Sequence, residues 1–145
     1  MLRKWTESDL NAICELEKQC FSDPWSLDML KGEFSLNGFL GYLIEENSEI
    51  IGYIGVSRVL DEANLDLIAV GENHRRKGYA KALFDKALTE LFATGTEKVF
   101  LEVRKKNIPA ISLYEKQGFI RLSERLNYYG NDDAVIMVKF KGDNL

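Results

Sequence analysis

A chain of 145 residues with 46% hydrophobic and 29% charged side chains can bury a core as one globular domain, expected over residues 1–145. A net charge of −4 argues against a nucleic-acid binder, and no apolar run reaches the length of a membrane span. Met1-Leu2-Arg3-Lys4-Trp5-Thr6-Glu7 lacks the apolar centre of a signal peptide, so a cytoplasmic location is expected.

Thr6-Glu7-Ser8-Asp9 is a helix start, with Thr6 as cap and Asp9 three residues on. Leu10, Ile13 and Cys14 continue it as a helical apolar stripe. Cys14 and Cys20 lie six apart, outside any CxxC pair, and are expected as free, buried or partly buried thiols. Phe21-Ser22-Asp23-Pro24-Trp25-Ser26 breaks the helix, and Ser26 caps a second, short one carrying Leu27, Leu30 and Phe34. Strands are predicted over 39–45 and 49–59, around a turn at Glu46-Asn47-Ser48. Asp61–Asn64 then turns the chain into a strand from Leu65 to Val70. After it, Ala82 to Phe92 reads as an amphipathic helix with Gly95 as its C-cap. Lys98–Val103 is a strand that puts Val99, Leu101 and Val103 on one face and Lys98, Phe100 and Glu102 on the other. Asn107 caps a helix with Pro109 in its first turn, ending at Gly118. The segments 119–129 and 134–140 form a closing antiparallel pair. This order predicts an α/β chain, a mixed sheet covered by helices.

The chemistry concentrates at Arg75-Arg76-Lys77-Gly78-Tyr79-Ala80-Lys81. A glycine turn between a strand and a helix aims several backbone N–H groups at one spot, where the helix dipole adds positive charge. Such a cradle suits a diphosphate. Neither GxxxxGK[ST] nor GxGxxG is present, so nucleoside triphosphates and dinucleotides lose support. Taken alone, the turn is also compatible with an ordinary strand-to-helix connection. No catalytic triad or metal-ligand cluster stands out, and His74, the only histidine, receives no role.

Arg75-x-x-Gly78-x-Ala80 matches the (Q/R)xxGx(G/A) signature, and the chain resembles the GCN5-related N-acetyltransferase superfamily. Ile68-Ala69-Val70, Leu101-Glu102-Val103-Arg104, Asn107 and Ala110-Ile111-Ser112-Leu113-Tyr114-Glu115-Lys116-Gln117-Gly118-Phe119 fall in register with it. Pro24-Trp25-Ser26, Asp61-Glu62-Ala63 and Asn127-Tyr128-Tyr129 are similar to the bacterial ribosomal-protein-alanine N-acetyltransferase family. The resemblance spans residues 1–140 and implies the acyl-CoA N-acyltransferase fold, with a mostly antiparallel sheet flanked by helices.

It also implies acetyl-CoA as co-substrate. The main-chain amides of Arg76, Lys77, Gly78, Tyr79, Ala80 and Lys81, behind the signature's Arg75, would hold the diphosphate. Ile68, Ala69 and Val70 would pair with the pantetheine arm, with a main-chain N–H near Val70 polarising the thioester carbonyl. Asn107 would contact the arm while capping its helix. Glu102 is implied as general base, acting through water; its plainer role is a strand glutamate paired with Arg104. Tyr114 is implied as general acid toward the thiolate; its plainer role is core packing. Trp25, Tyr128 and Tyr129 would wall the acceptor pocket or pack in the core. Asp61, Glu62 and Glu124 could attract a basic peptide. The implied activity is acetyl transfer to a protein's N-terminal α-amine, an alanine on a small-subunit ribosomal protein, by a monomer or weak dimer. Lysine, polyamine or small-molecule acceptors and a non-catalytic acetyl-CoA sensor are the alternatives.

Overall fold

The computed structural model describes residues 1–142. Seven strands form one sheet in the order β1-β2-β3-β4-β5-β7-β6. They are β1 (Leu2–Lys4), β2 (Phe39–Glu46), β3 (Glu49–Val59), β4 (Glu62–Val70), β5 (Lys98–Arg104), β6 (Ile120–Arg125) and β7 (Ala134–Phe140). The helices are α1 (Leu10–Cys20), α2 (Leu27–Phe34), α3 (Tyr79–Ala93) and α4 (Ile108–Lys116). Every neighbouring pair of strands is antiparallel except β4 and β5. The mixed, mostly antiparallel sheet expected from the sequence is the one observed.

Local chemistry accounts for most element ends. Ser26 Oγ accepts from the Met29 N–H at 3.2 Å and starts α2. Gly78, at φ +84°, opens α3. Gly95, at φ +109°, follows its end as expected. Besides α3, which begins at Tyr79 rather than Ala82, four boundaries differ from the sequence reading. The β1 strand was not expected; three residues are too few to show a period, and pairing with β2 creates it. The Thr6 turn is a 3-10 segment, Glu7–Asp9, and α1 proper starts at Leu10. Glu62–Asn64 are the first residues of β4 rather than a turn, because they pair with Ser57–Val59 on one side and Lys98–Phe100 on the other. The last hairpin is shorter, with β6 ending at Arg125 and a loop carrying Tyr128 and Tyr129.

Helices cover both faces. One core cluster joins α3 and α4 to the sheet through Leu83, Phe84, Leu88 and Ile111; the other joins α1 and α2 through Leu10, Ile13 and Leu30. Strand β4 contributes to both in an unusual way. Ala63 and Leu65 face the α3 side, whereas Leu67 and Ala69 face the α1 side. The pairing explains the switch: Val56 opposes Leu65 and Gly55 opposes Leu67, leaving Asp66 as an extra, bulged residue. One inserted residue flips every following side chain to the other face.

The bulge lies just past the end of the parallel ladder. The β4–β5 pairing stops at Asn64 opposite Phe100, although β4 runs on to Val70 and β5 to Arg104. Bulges increase local twist, which turns β4 away from β5. Meanwhile β5 remains paired along its whole length to β7. The sheet therefore opens into a V in its middle, with an unpaired edge of β4 on one arm.

Candidate active site

A cavity of about 400 Å³ fills the V. Leu65, Asp66, Leu67 and Ile68 line it from β4, and Leu101 to Arg104 from β5. Asn107 and Tyr114 close it from the α4 side. Trp25 and Tyr129 reach in from the loops after α1 and β6. Four of the residues singled out from the sequence for catalysis or cofactor contact (Ile68, Glu102, Asn107 and Tyr114) thus meet in one place.

Glu102 lies on the partly exposed face of β5, opposite the buried Val99, Leu101 and Val103. Its partner is Arg125 of β6, whose Nη1 is 3.5 Å from Oε1. The pairing with Arg104 considered from sequence is not formed; Arg104 turns toward Asp23, at 3.3 Å. Tyr114 is packed edge-on against Phe84, with centroids 5.9 Å apart, and against Phe119, at 6.2 Å. Burial, reinforced by the neighbouring Tyr129, pushes its hydroxyl up to about 12. The phenol therefore keeps its proton across the physiological range. Asn107 caps α4, Oδ1 accepting from the Ala110 N–H at 3.3 Å, while also lining the cavity. The two functions inferred for it are geometrically compatible.

The glycine turn lies beyond the cavity, where β4 ends. Arg76 is at φ 63° and Gly78 at φ +84°. No side chain caps α3, and Ala82 N–H is the first amide bonded back into the helix, to the Gly78 carbonyl. The amides of the first turn are left for another acceptor. A Cβ on Gly78 would meet nothing within 4 Å, so its conformation, not protein crowding, demands glycine. Three side chains of this segment are committed elsewhere: Arg75 Nε donates to the Val70 carbonyl at 2.9 Å, Tyr79 to Glu46 at 2.7 Å, and Lys81 pairs with Asp85 at 2.6 Å, whereas Arg76 and Lys77 are exposed cations. The turn therefore presents unpaired first-turn amides beside two exposed cations. Ala69 and Val70, both buried, continue the open edge of β4 between turn and cavity. An extended thiol arm on that edge and a diphosphate on the turn fit these residues.

Apart from Glu102, the acidic groups at the cavity are not those considered for attracting a basic peptide. Glu62 and Glu124 pair with Lys98 and Lys105, at 3.6 and 3.1 Å, and neither they nor Asp61 line it. Glu17, Asp23 and Asp66 do. Glu17, a carboxylate only 2% exposed, accepts hydrogen bonds from the Tyr53 hydroxyl and from the Trp25 N–H, the latter at 3.1 Å. It thereby fixes Trp25 at the cavity mouth. Its signal in the sequence was its place on the α1 stripe, four residues after Ile13. Asp66 accepts from Ser57 Oγ at 2.7 Å. Burial and the adjacent Asp66 push the Glu33 carboxyl up to about 8. Asp66 is the one charged residue in the otherwise apolar run from Leu65 to Val70. Of the three aromatic candidates, Trp25 and Tyr129 line the cavity, and Tyr128 stands edge-on behind Tyr129 at 5.1 Å.

A parallel strand pair that opens beside an uncapped helix N-terminus, with a carboxylate and a phenol at the opening, defines an acyl-CoA N-acyltransferase. The chain belongs to the GNAT acetyltransferase family, whose model matches residues 10–119. It is 35% identical over 137 residues to the [ribosomal protein bS18]-alanine N-acetyltransferase of Escherichia coli K12, covering 90% of each chain. It is 37% identical over 134 residues to the enzyme of that name from Haemophilus influenzae, covering 89% of this chain and 90% of the other. The crystal structure of the Escherichia coli ribosomal-protein-S18-alanine N-acetyltransferase superposes with a TM-score of 0.89 at 32% identity, covering 100% of this chain and 97% of that one. The protein is an acetyl-CoA-dependent N-acetyltransferase.

Proposed function

We propose that this enzyme acetylates the N-terminal α-amine of a protein, an alanine-initiated small-subunit ribosomal protein, in the cytoplasm. It acts as a single catalytic domain, monomeric or weakly dimeric. The observation that carries the chemistry is the convergence of Glu102 and Tyr114 on the cavity in the β4–β5 opening. The acceptor is inferred from the relatives, which carry that activity in their names at 35 and 37% identity.

Acetyl-CoA supplies the activated acetyl thioester. The first-turn amides of α3 around Gly78, with Arg76, Lys77, Tyr79, Ala80 and Lys81, hold its diphosphate, and the edge of Ile68, Ala69 and Val70 orients its arm. Glu102 takes a proton from the acceptor, through water. An α-amine ionises near about 7.7–8.0, against about 10.4 for a lysine side chain, so a carboxylate can obtain the neutral α-amine far more readily at neutral pH. Tyr114 holds its proton at Oη and presents it to the departing sulfur. Trp25 and Tyr129 flank the route by which a chain end enters.

The test is acetyl transfer to a set of peptides, with mass spectrometry locating the new group. Modification confined to the α-amine, with preference for a first-position alanine, is expected. Acetyl groups found only on lysine side chains or polyamines would refute the proposal. N-terminal proteomics with and without the gene extends the test to the natural acceptor.

A further inference from the structure

Arg104 has no part in the chemistry described above, yet it is the most connected side chain at the cavity mouth. It follows Glu102 by two residues, on the same face of β5. Its Nη2 donates to Asp23 Oδ2 and its Nη1 to Asn131 Oδ1, each at 3.3 Å. The guanidinium also lies over the Tyr129 ring, 4.2 Å from the centroid. Asp23 belongs to the loop between α1 and α2, whereas Tyr129 and Asn131 belong to the loop between β6 and β7. One side chain therefore bridges the two loops that flank the opening. Asp23, Arg104 and Tyr129 all line the cavity itself.

The bridge continues inward. Tyr129 meets Tyr128 edge-on at an interplanar angle of 89°. The Arg125 guanidinium lies 5.4 Å from the Tyr128 centroid and pairs with Glu102 at 3.5 Å. An unbroken line of contacts thus joins the α1–α2 loop to the carboxylate at the cavity. The Asp23 side chain is 86% exposed, so its ion pair alone has little holding power. The guanidinium held over the Tyr129 ring, combined with a forked donor, suits arginine rather than lysine.

We propose that Arg104 is a positioning residue, a clasp that holds loops 21–26 and 126–133 together and so sets the affinity for the acceptor peptide. This rests on the reading that the cavity receives an amine-bearing chain end. Loops ordered in advance need not be ordered by the peptide, so the clasp acts on acceptor binding more than on the transfer step.

The experiment uses the intact enzyme and the variants Arg104→Gln, Arg104→Lys and Asp23→Asn. With an alanine-initiated peptide, Arg104→Gln is expected to raise the peptide KM about tenfold, as loss of a cation–π contact and its hydrogen bonds allows. The change in kcat and in the KM for acetyl-CoA should be much smaller. Arg104→Lys keeps the charge but loses the stack and should fall between. Asp23→Asn, at an exposed side chain, should raise KM about twofold. An unchanged peptide KM, or a fall in kcat at constant KM, would overturn the clasp. Acrylamide quenching of Trp25 gives a readout independent of the acceptor, because the other tryptophan, Trp5, is 5% exposed. Quenching should rise in Arg104→Gln, and unchanged quenching would also overturn the clasp. If quenching rises but wild-type enzyme modifies no peptide α-amine, the clasp stands and the proposed acceptor falls.

Discussion

Replacing Tyr114 by phenylalanine removes a single oxygen from the cavity and leaves the packing against Phe84 and Phe119 in place. The size of the effect follows from the environment of that oxygen. Its hydroxyl is pushed up to about 12, whereas an alkyl thiol ionises near about 8.5. Full transfer of the proton to a free thiolate is uphill by about 5 kcal/mol, at about 1.4 kcal/mol for each decade. The phenol consequently acts as a hydrogen-bond donor to the growing charge on sulfur, and the proton moves only as that charge develops. A hydrogen bond to a charged group contributes about 1.5–3 kcal/mol, which corresponds to a kcat lower by about 10- to 150-fold in Tyr114→Phe. The assay is release of coenzyme thiol at saturating peptide and acetyl-CoA, read with a thiol reagent between pH 6 and 10. Since the folded phenol loses its proton only near 12, its ionisation should impose no alkaline decline within that range. A kcat within twofold of wild type would refute the role. So would an alkaline decline below pH 10 that disappears in the variant, because the proton would then be leaving too early.

Glu102→Gln should lower acetyl transfer by about 10²–10⁴-fold while leaving acetyl-CoA affinity nearly intact; wild-type turnover at saturating peptide defeats the base assignment. Gly78→Ala places a Cβ on a backbone at φ +84°, at a cost of about 1–2 kcal/mol. Its melting temperature should drop by several degrees, and the KM for acetyl-CoA should rise as well, because the protein leaves the space around that Cβ open. A normal KM would show that the diphosphate binds elsewhere. Asp9 is held at about 2, first by its hydrogen bonds to the Arg3 guanidinium, at 2.8 and 2.9 Å. Its folded value lies below the unfolded 3.8, so the stability it contributes is complete above about pH 5 and is lost as the pH falls through 2. The difference corresponds to about 2 kcal/mol. Chemical denaturation of Asp9→Asn should show that loss at pH 7 and only a small remainder of it at pH 2; an equal deficit at both would disprove the linkage.

How much of this was legible in the chain depends on the range of the interaction concerned. Ser26, Asn107, Gly78 and Gly95 act on residues within a turn of themselves, so the starts of α2 and α4, the turn before α3 and its end could be read directly. Alternation along Lys98–Val103 likewise placed Glu102 away from the core. The β1 strand and the first residues of β4 were not legible, because pairing with distant strands defines them. The switch of faces at Asp66 was also hidden, since a bulge depends on what the neighbouring strand offers.

By itself the sequence determined the parts: a glycine turn into a helix after Val70, a carboxylate on one strand, and a phenol on a helix cappable by Asn107. Their assembly was decided only in three dimensions. The β4–β5 ladder ends at Asn64 opposite Phe100 while β7 keeps β5 in place. That opening brings Ile68, Glu102 and Tyr114 to one cavity. The pairing of Glu102 with Arg125 instead of Arg104, and the reach of Arg104 across two loops, belong to the same category. They arise because hydrogen-bonding partners far apart in the chain compete for each strand edge and each charge, and local preference does not register that competition.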